Sequence, residues 1–128
     1  MNLLLDTHIA LWAITDSPRL SATARRHLLN PKATLWVSVA SLWEIAIKHS
    51  LGRGDMPVSS AQALQHFQAS GYRLLPIEVE HTVAVGQLPP LHADPFDRLL
   101  VAQAHTEPMH LLTPNAQLAG YGGTVLLC

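Results

Sequence analysis

The feature that most constrains this chain is a rhythm of short apolar runs, each too brief for a helix, separated by segments of helical periodicity. Asn2-Leu3-Leu4-Leu5 stops at Asp6 and has the length of a buried strand. Residues 7–15 then place Ile9, Leu11, Trp12 and Ile14 in a helical pattern, which Asp16-Ser17-Pro18 breaks. Ser21 is an N-cap candidate for a helix over 22–29, stopped by Asn30-Pro31. Residues 34–39 are β-branched and aromatic, a second strand, and 40–51 read as a helix followed by a loop at 52–55. Ser59 or Ser60 caps the next helix, which closes at Gly71. A strand over 72–77, ended or held at an edge by Pro76, leads to a short helix over 78–86. After the Pro-rich loop 88–93, Asp94-Pro95 opens the best-signalled helix, with N-cap chemistry followed by a proline in the first turn. Residues 110–113, 116–119 and 124–127 give a strand, a helical turn and a final strand. Short apolar strands alternating with helices predict an α/β fold, with a mostly parallel sheet covered on both faces. No repeat or linker divides the chain, so residues 1–128 are expected to form one domain.

The 128 residues are enough to bury a core, and 48% hydrophobic against 13% charged residues excludes a disordered chain. The single cysteine, Cys128, allows neither an internal disulfide nor a thiolate metal site. The apolar start meets Asp6 too soon for a signal peptide, and no run approaches the roughly 20 residues that span a bilayer. A cytoplasmic protein with no membrane partner is expected. The net charge of −1 argues against a broad electrostatic grip on nucleic acid. Any such chemistry must rest on a local site, a bound cation or another subunit's surface.

The acids supply a candidate for that local site. Ligands of open α/β sheets bind beyond the carboxyl ends of the strands. Asp6 lies there after the first strand, and Thr113-Pro114-Asn115 after the fourth. Asp94 and Asp97 start a helix, where backbone N–H groups favour negative charge, and Glu44 falls early in the helix after the second strand. Converging carboxylates repel one another, and a hard divalent cation such as Mg²⁺ relieves that cost. The cation would in turn activate water and neutralise a phosphate. Each acid also has a structural reading. Asp6 could only cap its helix, Asp94 and Asp97 could form a capping-box variant, and Glu44 could pair with Lys48 for roughly 0.2–0.5 kcal/mol. Arg98 could pair with Asp94 or face phosphate. Thr7 and Ser38 could orient carboxylates or a metal-bound water, and Ser41 could do likewise or serve as an ordinary helix-turn hydroxyl. The eight histidines form no zinc motif; His8 and His92 lie near the acids but read first as hydrogen-bonded or surface residues.

Four segments, Leu-Leu-Leu-Asp-Thr-His at 3–8, Ser-Val-Ala-Ser-Leu-Trp-Glu-Ile-Ala-Ile-Lys at 38–48, Leu-Pro-Pro-Leu-His-Ala-Asp-Pro-Phe-Asp-Arg-Leu-Leu-Val-Ala-Gln-Ala at 88–104 and Leu-Leu-Thr-Pro-Asn at 111–115, together resemble PIN-domain proteins. The match is nearest to the VapC-like toxins of type II toxin–antitoxin systems. The resemblance implies a three-layer α/β/α domain and a Mg²⁺- or Mn²⁺-dependent endoribonuclease. It implies a homodimer, held inactive by a small cognate antitoxin. It assigns Asp6, Glu44 and Asp97 as catalytic, metal-binding acids, with Asp94, Asn115, Thr7, Ser38 and Thr113 in support. Arg98 and Lys48 become candidates for RNA contact, and Arg53 could join them in framing a shared groove. One departure stands out: Asn115 occupies a position where the family commonly has Asp, which puts a second metal in doubt. A PIN-like binding module without catalysis therefore stays open as an alternative. A phosphotransferase using Asp6-Thr7-His8 ranks last.

Overall fold

The computed structural model describes residues 1–52 and 56–128, so the Arg53, Gly54 and Asp55 part of the expected loop lies outside the described residues. Five strands, β1 (Asn2–Leu5), β2 (Thr34–Ser38), β3 (Arg73–Leu75), β4 (His110–Thr113) and β5 (Val125–Leu127), form one sheet in the order β3-β2-β1-β4-β5. Every neighbouring pair is parallel. Helices α1 (Thr7–Ile14), α2 (Ala22–Leu29), α3 (Val39–Ser50), α4 (Ser60–Ala69), α5 (Val79–Val85) and α6 (Pro95–Thr106) connect the strands, with a 3-10 turn at Ala116–Tyr121.

The strands are apolar throughout because both of their faces are buried. Side chains alternate along a strand, so Leu4 and Leu111 enter one core with Leu100, Val101 and Ala104 of α6. Their neighbours Leu5 and Leu112 enter a second core with Ile9, Ile45 and Phe67. A parallel sheet needs this double burial, and helices on both faces supply it. The result is an α/β/α arrangement.

Side chains at the helix starts explain most of the element boundaries. Ser21 Oγ accepts from Ala24 N–H at 3.0 Å, and Ser59 and Gln62 form a reciprocal capping box. β2 ends one residue earlier than expected because Ser38 turns its hydroxyl onto the Ala40 N–H, at 3.0 Å, and starts α3 at Val39. β3 is only three residues long and stops short of Pro76, which has no N–H to extend the ladder. The turn expected at 116–119 runs on to Tyr121. Among the described residues, no helix is long and apolar enough to cross a membrane.

β1 sits at the centre, and the chain leaves it toward β2 on one side and pairs it with β4 on the other. The crevice beyond the carboxyl ends of β1 and β4 is therefore the switch point of the sheet. Leu4 locks this central strand, with no exposed surface. Leu4→Ala should lower the unfolding free energy by about 2–5 kcal/mol in urea denaturation. A loss under about 1 kcal/mol would mean that the strand is not held as tightly as its burial indicates.

Candidate metal centre

Asp6 leaves β1 into the crevice and is almost wholly buried, at 2% exposure. Its Oδ1 accepts from the His8 backbone N–H at 2.7 Å, so it caps α1 as its structural reading requires. Capping uses one oxygen only. The other, Oδ2, accepts from the Thr113 hydroxyl at 2.9 Å, reaching across from the end of β4. Thr113 Oγ1 also accepts from the Asn115 N–H at 3.1 Å. The two central strands thus meet through one carboxylate.

Glu44 comes from α3. The expected pair with Lys48 forms, but it is buried at the Glu44 end rather than lying on the surface, since Glu44 is only 3% exposed. Lys48 Nζ donates to Glu44 Oε2 at 2.7 Å. Glu44 Oε1 is buried with no hydrogen-bond partner among the described residues. A buried anionic oxygen without a partner is costly.

Asp97 lies in the first turn of α6, and His92 Nε2 is 2.9 Å from its Oδ2. Burial, followed by the negative charges of Asp6, Asp94 and Glu44, pushes its carboxyl up to about 6, against a smaller downward pull from His92. Asp97 thus senses all three of the other acids singled out in the sequence. The side-chain contact with Asp6, with the Coulombic effect of Asp6 and Glu44 behind it, raises the His8 imidazole against the opposing effect of its burial. Helices α3 and α6 pack together, and Trp43 meets Phe96 edge-on at 5.2 Å beside Glu44 and Asp97. The four acids occupy one electrostatic neighbourhood.

They do not form a finished cage. Among the described residues, no three His, Cys, Asp or Glu side chains are grouped closely enough to hold a metal ion. Each acid instead leans on its own partner: Asp6 on Thr113, Glu44 on Lys48, Asp97 on His92. The donor set nonetheless suits a divalent cation. The groups are hard carboxylate oxygens, one has no partner among the described residues, and one is held above its ordinary range by burial and then by the charges of its neighbours. Burial and the Asp6 charge push the Cys128 thiol up to about 11, so it stays protonated and is a poor ligand.

The remaining expected site residues divide. Asp94 is the N-cap of α6, its Oδ1 accepting from Phe96 and Asp97 N–H groups, so its direct role is the structural one. Ser38 caps α3. Thr7 and Ser41 hydrogen-bond to each other at 2.8 Å rather than to a carboxylate. Asn115 Oδ1 accepts from Gln117 N–H at 3.0 Å and starts the 3-10 turn. Arg98 pairs with neither Asp94 nor open solvent. It donates to the carbonyls of Val85 and Pro89 and to the Tyr121 hydroxyl, all at 3.0–3.1 Å, because these groups converge on the start of α6. The His92–Asp97 contact is the feature that spacing did not reveal; His92 five residues before an acid was its only trace.

A PIN domain family model matches residues 3–123. Among solved structures, the chain is similar to VapBC2 from Rickettsia felis, determined bound to a DNA fragment from its promoter, with 22% identity and a TM-score of 0.68. That match covers 100% of this chain and 98% of the other. A toxin–antitoxin complex from Klebsiella pneumoniae is similar at 17% identity and a TM-score of 0.67, over 97% of this chain and 95% of that one. VapBC-1 from nontypeable Haemophilus influenzae follows at 18% and 0.63, over 94% and 92%. No curated protein matches the chain.

The raised Asp97 carboxyl has a stability consequence of definite sign. Its folded value of about 6 exceeds the ordinary 3.8, so the folded state binds the proton more tightly. Its contribution to the metal-free protein should therefore favour folding more as the pH falls from about 6 toward 4. Comparing chemical denaturation of wild type and Asp97→Asn across that range checks this. Asp97→Asn should flatten this part of the pH profile, and parallel profiles would refute the assignment.

Proposed function

Because the chain belongs to the PIN domain family, we propose that it is a Mg²⁺- or Mn²⁺-dependent endoribonuclease and the toxin of a toxin–antitoxin pair. The observation that carries this reading is the shared electrostatic environment of Asp6, Glu44 and Asp97, registered in the raised Asp97 carboxyl. Asp6 and Asp97 would be the principal cation ligands, with Glu44 completing the set directly or through water. The cation would supply charge neutralisation at the phosphodiester and activation of the attacking water.

The chain's own groups prepare that chemistry. Thr113 and the His8 N–H orient Asp6 from both sides. Lys48 holds one Glu44 oxygen and leaves the other unpartnered. At neutral pH Asp97 is mostly ionised, since its carboxyl titrates near 6. The His8 side chain is 53% exposed, and its contact with Asp6 raises its affinity for a proton against the opposing effect of burial, beside Asp6 where an RNA backbone could approach. Asn115 is uncharged and already caps the 3-10 turn, which favours one cation over two.

The likeness to VapBC and other toxin–antitoxin complexes supports an antitoxin partner. So does an apolar cavity walled by Trp43, Val85, Pro95, Phe96 and Leu99, at which Trp43 is more than half exposed. Such a surface also suits a second copy of the chain in a symmetric dimer. The absence of a membrane-crossing helix among the described residues fits action on cytoplasmic RNA.

Purified chain freed of any antitoxin should cut RNA when given Mg²⁺ or Mn²⁺ and stop when the metal is chelated. Asp6→Asn and Asp97→Asn should each reduce cutting by about a hundredfold or more, the scale on which charge stabilisation at a reacting centre is lost. A second reading, a PIN-like module that binds without cutting, is favoured by Asn115 and by the unfinished ligand cage. It predicts RNA association with no products at any Mn²⁺ concentration, and that result would displace the nuclease reading.

A further inference from the structure

We propose that His92 is a positioning residue that orients the Asp97 carboxylate for cation binding, and that the 88–93 loop is a strap built to hold it there. The proposal rests on the reading of Asp97 as a cation-facing acid. Asp97 is acceptor-only when ionised, so the His92 Nε2 at 2.9 Å must carry the proton and donate it to Oδ2. That bond restricts rotation of the carboxylate on the first turn of α6. Both side chains are largely enclosed, at 14% exposure for His92 and 18% for Asp97, so water competes weakly for the contact.

The loop that delivers His92 is fastened at several points. Leu88 N–H donates to Val85 O at 3.2 Å, and Leu91 N–H to Pro89 O at 2.8 Å. Consecutive prolines, Pro89 and Pro90, stiffen the backbone between them. Arg98 donates to the Pro89 carbonyl and, through the same guanidinium, to Val85 O and Tyr121 Oη. Beyond the prolines, Leu91 lies against Gly120, where an added Cβ would come within 3.0 Å of Leu91 Cδ1. Asp94 then closes the segment by capping α6 through the N–H of Asp97 itself. Arg98 thus shares a helix with the acid and pins the loop that orients it. Partners of this kind fix a ligand's geometry, and losing one commonly weakens metal binding by 10–100-fold.

The test is calorimetric titration of the full chain with Mn²⁺ alone, without RNA, on wild type, His92→Ala and His92→Gln. The glutamine amide can place a donor where Nε2 stood. His92→Ala should weaken Mn²⁺ binding about 10–100-fold, and His92→Gln should restore most of it. If His92→Ala binds Mn²⁺ as wild type does, the positioning role is wrong while the metal site stands. If His92→Gln binds as weakly as His92→Ala, the loss comes from a loosened loop and the role is again overturned. If wild type itself binds no Mn²⁺, the metal reading fails and carries this proposal down with it. Wild-type Mn²⁺ binding without RNA cleavage would instead sink the nuclease reading and leave His92's role intact.

Discussion

Negative charge confined to a crevice that can barely solvate it is the condition to which the rest of this structure responds. Asp6 and Glu44 are almost fully buried, and Asp97 is pushed up to about 6 by burial and by the charges of Asp6, Asp94 and Glu44. Each acid has been given a compensating neighbour: a hydroxyl for Asp6, an ammonium for Glu44, an imidazole for Asp97. For Glu44 the compensation is incomplete, since its Oε1 has no hydrogen-bond partner among the described residues. A fold concerned only with stability would place an apolar group there, because a half-satisfied buried polar network costs more than a packed one. On the proposed reading, a bound cation would relieve this residual cost.

The sheet makes that crowding possible. With β1 central and β4 beside it, the ends of two strands distant in sequence lie side by side, and Thr113 reaches Asp6 across 107 residues. The two cores on either face, one under α6 and one under α1, α3 and α4, hold the strands from both sides. The crevice can then carry electrostatic strain without opening. The starts of α1 and α6 also direct backbone N–H groups at Asp6 and Asp94, a partial positive charge that offsets some of the repulsion.

Local chemistry was legible in the sequence wherever it was decided locally. Ser21, Ser59 and Asp94 begin helices as their residue types predict, and the apolar strands fall close to their expected bounds. The acids could be identified as candidates because carboxylates in otherwise apolar segments need a reason. What sequence could not reveal was which of two plausible partners each long side chain would choose. Glu44 and Lys48 have ideal surface-pair spacing, yet α3 lies with that stripe turned inward. Arg98 has an acid four residues before it and does not pair with it, because three acceptors from separate segments meet its guanidinium, whose fork of donors can serve them all. Thr7 and Ser41 found each other across 34 residues for the same reason, whereas Ser38 accepts from the local Ala40 N–H as an ordinary cap.

That inward commitment of cations bears on how a chain of net charge −1 could handle RNA. Arg98 braces a loop, and Lys48 attends to Glu44, so two basic residues nearest the acids already serve the fold. On the proposed reading the divalent cation therefore has two tasks, relieving the acids' mutual repulsion and presenting positive charge to the substrate. With a net charge of −1, the chain contributes little long-range attraction of its own. A site built this way gains affinity for RNA chiefly through what it binds first. The precision with which Asp97 is held then matters more than the number of basic residues around it.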